Sequence, residues 1–149
     1  MNIVMLLSSI VFLLDRIIKT IVTISLDLEQ GIIIIDNFFT IMHVHNYGAA
    51  FSILNGNRIF LIVMTFLFLG VIYFYFIKDK ELRKLEKIGL GLLIGGVVGN
   101  LFDRLFLGYV IDYLSFDIFG YPFPVFNLAD ACIVLAVLLI MIDIWKEDN

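Results

Sequence analysis

The run Arg58-Ile59-Phe60-Leu61-Ile62-Val63-Met64-Thr65-Phe66-Leu67-Phe68-Leu69-Gly70-Val71-Ile72-Tyr73-Phe74-Tyr75-Phe76-Ile77 carries no charge after Arg58 and is closed by Lys78. It has the roughly 20 apolar residues that cross a hydrocarbon core. Three more stretches reach spanning length, at residues 3–24, 88–107 and 127–145. The sequence therefore predicts a membrane all-α core with four transmembrane helices. Composition agrees: 62% of the 149 residues are hydrophobic, which excludes an ordinary soluble domain. At this length a single domain over residues 1–149 is expected. A formal charge of −4 leaves no basic footprint for nucleic acid.

The basic residues orient the chain. Residues 78–87 hold five Lys and Arg, whereas 26–57 and 108–126 hold none. Short cytoplasmic loops carry the positive excess. Both termini are then cytoplasmic (N-in/C-in), and the two longer loops face outward. Trp145 and Lys146 at the inner end of the last helix agree. The first stretch has no Lys or Arg ahead of its apolar run and no small-x-small cleavage site. It reads as a retained helix, not a cleaved signal peptide.

In the first outer loop, residues 32–35 and 38–44 are β-branched and aromatic and are split by Asp36-Asn37. They predict a small extracytoplasmic β-sheet between helices 1 and 2. His43 and His45 alternate at the strand period and share a face. A catalytic zinc takes three protein ligands, and no third is apparent, so no metal is expected. Cys132 is the only cysteine; it reads as a small buried hydrophobe.

Charges at membrane depth cost about 2.5–3.5 kcal/mol on insertion scales and mark functional sites. Asp15 and Lys19 share a helical face beside Arg16. Gly91, Gly95 and Gly99 form a small-residue stripe for close helix packing. Asn100, Asp103 and Arg104 follow on one face, and Asp103 beside Arg104 reads as a structural pair. Asn127 is a favoured helix N-cap, with Asp130 one turn inside, beyond capping reach. Asp112 sits in a loop at the apolar boundary. The connection between the last two helices is short, so Asp112 and Asp130 converge near the outer surface as a carboxylate dyad. A proton-coupled transporter is the rival reading of such charges. Against it, the inner halves of the second and fourth helices offer no polar path.

Four blocks in order resemble the lipoprotein signal peptidase family (signal peptidase II), bacterial aspartyl peptidases that process prolipoproteins. Asn46-Tyr47-Gly48-Ala49-Ala50-Phe51 resembles the family's N-x-G-A-A-F. Residues 95–104, Gly-Gly-Val-Val-Gly-Asn-Leu-Phe-Asp-Arg, resemble its G-G-x-x-G-N-x-x-D-R. Gly108-Tyr109-Val110-Ile111-Asp112-Tyr113 is similar to G-x-V-V-D-F, and Phe126-Asn127-Leu128-Ala129-Asp130 to F-N-x-A-D. Where the family has D-Q-x-T-K, this chain has Asp15-Arg16-Ile17-Ile18-Lys19.

The resemblance implies Asp112 and Asp130 as the catalytic pair. Asp15, Lys19, Asn46, Gly48, Asn100, Asp103, Arg104 and Asn127 would shape the site and hold substrate. It implies a diacylglyceryl-modified prolipoprotein as substrate, cut just before its lipidated Cys, with no cofactor. It further implies a monomer among membrane lipids in a bacterial plasma membrane, with its site near the extracytoplasmic face.

Overall fold

The structure, a computed structural model, describes residues 2–48, 54–78 and 81–147. Ala49, Ala50 and Phe51 of the first block, and Asp79 and Lys80 of the basic loop, lie outside the described residues. Four long helices are present: α1 (Asn2–Ser25), α2 (Arg58–Ile72), α3 (Lys84–Phe106) and α4 (Leu128–Glu147). α2 continues into a π-helical turn over Tyr73–Ile77.

Three helices are long and apolar enough to cross a membrane: Arg58–Ile77, Lys84–Phe106 and Leu128–Lys146. α1 has the length but concentrates Asp15, Arg16 and Lys19 in its C-terminal half. By apolarity, then, three spans stand where four were expected. Along α2 most apolar side chains are exposed. A helix apolar on all sides and uncovered by protein suits lipid, not water.

α3 is the central helix, because its glycines admit a neighbour on two sides. A Cβ on Gly95 would lie 2.8 Å from the Ser8 carbonyl oxygen of α1. One on Gly96 would lie 2.5 Å from the Ala129 carbonyl oxygen of α4. Gly91 and Gly95 thus seat α1, as the small-residue stripe predicts. At the opposite end of the bundle from β2 and β3, Arg83 ties the start of α3 to Asp143 of α4 at 2.9 Å and lies 3.6 Å from Glu86. Asp143 is a buried charge in the C-terminal half of α4, a stretch expected to offer no polar path.

The sheet departs from expectation. It has four antiparallel strands in the order β1 (Gly31–Ile35), β2 (Phe39–Asn46), β3 (Val110–Ile118) and β4 (Tyr121–Pro122). The first two confirm the predicted pair within two residues. The other two come from between α3 and α4, so the sheet is not confined to the first outer loop. Asp112 lies on a strand, not in a loop. Val110, Ile111, Tyr113 and Phe116 are good strand formers, but their partner strand is distant in sequence. Val44 pairs with Asp112 and Asn46 with Val110, and a bulge interrupts β2 between Ile41 and Val44.

Gly108 makes this geometry possible. It has φ of +93°, and its N–H donates to the Asp103 carbonyl at 3.1 Å. This left-handed residue ends α3 and turns the chain into β3. A side chain there would also crowd Arg58, whose Nη1 would be 3.4 Å from the added Cβ.

Candidate active site

Five elements bring polar side chains to one end of the bundle. The α4 terminus is built first. Asp130 N–H donates to Asn127 Oδ1 at 3.0 Å, and Asn127 N–H donates to Asp130 Oδ2 at 3.2 Å. This is a reciprocal capping box. It corrects the expectation that Asp130 lies beyond capping reach: its carboxylate reaches back to the residue before the helix. The Leu128 N–H donates to the Tyr113 hydroxyl at 3.1 Å, and burial raises the Tyr113 phenol above its ordinary value.

Asn127 is fully buried and joins the two aspartates. Its Nδ2 donates to Asp112 Oδ1 at 2.7 Å. Asn46 Nδ2 donates to the other Asp112 oxygen at 2.9 Å. Asn100 Nδ2 donates to Asp130 Oδ1 at 2.8 Å. Asp112 and Asp130 therefore line one groove, of about 610 Å³, with Arg104, Asn46 and Asn100. Beyond them the groove is walled by Phe123–Phe126 and, along α4, by Ile133, Val134 and Leu138. Asp112 is 2% exposed. Burial raises its carboxyl to about 7, the two Asn amides oppose that rise, and the nearby Asp130 adds to it.

Behind this layer lies a charged core. Asp15, Lys19 and Asp103 are all fully buried. Lys19 Nζ lies 2.8 Å from Asp15 Oδ2 and 2.8 Å from Asp103 Oδ2. It also donates to Asn100 Oδ1 at 2.9 Å. Arg16 pairs with the other Asp103 oxygen and lies over the Phe102 ring, 5.0 Å from its centroid. Asp15 Oδ1 accepts the Ala129 N–H at 3.3 Å. The Lys19 ammonium thus has an acceptor for each of its three N–H groups, which is how buried charge is tolerated.

Asp103 also accepts the Ile111 N–H at 3.3 Å, and Asn127 Nδ2 is 3.3 Å from the Ile111 carbonyl. Side chains from α3 and α4 thus satisfy the free edge of β3 one residue before Asp112. This edge contact is a tertiary event with no signal in the sequence.

The expected Asp103–Arg104 pair is not formed. Adjacent residues on a helix point apart. Asp103 turns to α1, while Arg104 Nη2 donates to the Gly48 carbonyl at 2.9 Å. Gly48 N–H in turn donates to Asn46 Oδ1 at 2.9 Å. All ten residues named from the sequence therefore gather here, in two layers: a charged one around Lys19 and an amide–carboxyl one facing the groove. Arg16, Tyr113 and the Ile111 backbone are additional members that sequence reasoning missed. Arg58, whose Nε and Nη2 donate to the Arg104 and Leu105 carbonyls at 2.7 and 2.8 Å, is another. His43 and His45 do share a face, with Nε2 atoms 3.2 Å apart. Among the described residues no cluster of three metal-ligating side chains accompanies them.

The profile of the family described as signal peptidase (SPase) II matches residues 7–146. A lipoprotein signal peptidase of Halothermothrix orenii is 39% identical over 140 residues, covering 94% of this chain and 93% of the relative. One from Staphylococcus aureus is 33% identical over 144 residues, covering 97% and 88%. A solved structure described as a bacterial membrane enzyme, at 2.3 Å by the in meso method, superposes with a TM-score of 0.91 at 32% identity. It covers 100% of this chain and 91% of its own. A second, at 1.9 Å, gives 0.87 at 32% identity, covering 98% and 94%.

Proposed function

The chain belongs to the signal peptidase II family, and from that premise we propose that it removes signal peptides from prolipoproteins by aspartyl chemistry. The observation that carries the chemistry is the convergence of Asp112 and Asp130 on one groove, joined through Asn127. The substrate is a prolipoprotein carrying diacylglycerol on its Cys, cut just before that residue. The apolar wall along α4 supports this, because it leads from the carboxyls toward the lipid-facing surface and suits an acyl chain.

Asp130 is the base and Asp112 the acid in this reading. Lys19 has only donors to offer, so it holds Asn100 with Oδ1 inward and Nδ2 toward Asp130. Asp130 also takes an N–H at the positive end of α4. Both features suit a carboxylate. Among the described residues Asp112 accepts from neutral amides and forms no ion pair, and its carboxyl, raised to about 7, still holds a proton in about half of the molecules at neutral pH. Asp130 draws a proton from water as the oxygen attacks the scissile carbonyl carbon. Asp112 donates to the carbonyl oxygen. When the tetrahedral adduct collapses, the C–N bond breaks, the amine leaves with the proton that Asp130 took, and a hydroxyl of the adduct returns its proton to Asp112 as the carboxyl product forms.

Turnover of a purified diacylglyceryl prolipoprotein, followed by gel shift across pH, tests both function and roles. Cleavage should be seen, and its rate should fall as pH rises through about 7, where Asp112 loses its proton. No shift of the lipidated substrate at any pH would refute the function. A rate still rising above that value would refute Asp112 as the acid.

The same reading makes α1 a fourth span, its three charges turned into the bundle, with both termini cytoplasmic. Residues 26–48 and the site then face outward. Cysteines placed at 32–35 should label from outside intact cells, whereas Cys at Lys84 or Lys87 should not. Outside labelling of Lys84 would reverse the orientation.

A further inference from the structure

We propose that His43 and His45 form an imidazole clasp that positions Asn46 against Asp112 and that survives one added proton but not two. This rests on the reading of Asp112 as catalytic, and its geometry lies on the opposite face of β2 from the groove.

β2 needs such a fastening. Its bulge falls between Ile41 and Val44, and a bulge interrupts the ladder beside the paired residues. Val44 is the partner of Asp112 in that ladder, and Asn46 is the residue that holds Asp112 Oδ2. His43, in the bulge, is buried. Its main chain pairs with Gln30 and Glu29 at 3.0 and 2.8 Å. Its ring Nδ1 lies 3.0 Å from the Leu26 carbonyl oxygen, just past the end of α1.

That contact sets the tautomer. A carbonyl oxygen only accepts, so His43 Nδ1 carries a hydrogen, and its Nε2 in the neutral ring is an acceptor. His45 Nε2, 3.2 Å away, must then be the donor. The His45 ring is stacked on Tyr109, with centroids 3.6 Å apart and planes at 18°. Tyr109 lies between Gly108 and β3. The chain from the Leu26 carbonyl through both imidazoles to Tyr109 therefore ties the end of α1 to the start of β3. It passes through β2 at the residue before Asn46.

Protonation divides in two. A proton on the outer nitrogen of His45 leaves its Nε2–H pointing at His43, so the bond is kept. A second proton, on His43 Nε2, sets N–H against N–H and charge against charge. Burial and the neighbouring His43 both lower His45 from its ordinary value. His45 therefore takes up a proton less readily in the folded protein than in the unfolded chain, so the stability it contributes is full at neutral pH and is lost as pH falls. The turn packed on His43 carries Asp27 and Glu29; Tyr47 and Tyr109 lie at His45, and Asp112 is across the strand. Among the described residues neither imidazole makes an ion pair with a carboxylate.

Two substitutions separate positioning from bulk structure. H45F keeps the stack on Tyr109 and removes the donor. H45Q keeps an N–H at the reach of Nε2, and its amide can turn its oxygen to a protonated His43 without carrying charge itself. We expect turnover by H45F to fall about tenfold, mostly in kcat, with its melting point close to that of the parent. H45Q should restore turnover to within about twofold at neutral pH and hold it to lower pH than the parent protein.

In parallel, 15N-histidine NMR of the parent protein should show one ring pair sharing an Nε2–H···Nε2 hydrogen and taking up its two protons in separate steps. Rings that titrate independently, or H45F with parental turnover and pH profile, would overturn the clasp. If the parent cleaves no lipidated substrate, the proposed function fails, and the NMR result still decides the clasp.

Discussion

Asp112→Asn and Asp130→Asn are each expected to abolish cleavage, by on the order of 10³-fold or more, with the protein still inserted and folded. Asn keeps the outline of the side chain and a hydrogen-bonding amide but cannot exchange a proton. The double variant should be about as inactive as either single one, because the two groups act as one unit. Stability separates chemistry from collapse. The Asp112 carboxyl rises from 3.8 unfolded to about 7 folded. Between those values the folded protein binds the extra proton, so its stability falls as pH rises through the window and then levels off. Asp112→Asn removes that slope, so its melt should hold or rise relative to the parent at pH above about 7. Turnover of a lipidated prolipoprotein and a melting curve in detergent measure both. Substantial turnover in either single variant would sink the dyad and return the proton-transporter reading.

Asp103→Ala should unfold the end of the bundle that holds the site, at a cost of about 3–5 kcal/mol. The carboxylate is fully buried and answers both Arg16 and Lys19. Among the described residues, removing it leaves Lys19 with Asp15 as its one carboxylate, beside Asn100 Oδ1, and strands the Ile111 N–H at the edge of β3. An unpaired buried donor adds its own desolvation cost. Arg104→Ala should behave differently, since Arg104 does not pair with Asp103. It should melt near the parent but lose turnover, because the tie from the groove to Gly48 is gone. A parental melt for Asp103→Ala would mean that the charged layer contributes little to the fold.

The helices were legible in the residues, because apolar length and the absence of charge over residues 59–77 leave lipid as the solvent and the helix as the structure. So were the glycine stripe of α3 and the chemistry-bearing side chains, since buried Asp, Lys and Asn among apolar neighbours stand out in sequence. Local patterns also placed β1 and β2. What stayed hidden depends on partners far along the chain. β3 looked like a loop because its mate, β2, lies more than sixty residues earlier, and strand pairing has no local period that names its partner. Asp103 beside Arg104 looked like a pair because sequence shows neighbours, whereas a helix turns successive side chains about 100° apart. Arg16, which departs from the family pattern, is explained by an acceptor on another helix. Residue types settled what chemistry this chain contains. Packing of α1 and α4 against the glycine faces of α3 decided which carboxylates are neutralised by Lys19 and Arg16, and which two are left facing the groove.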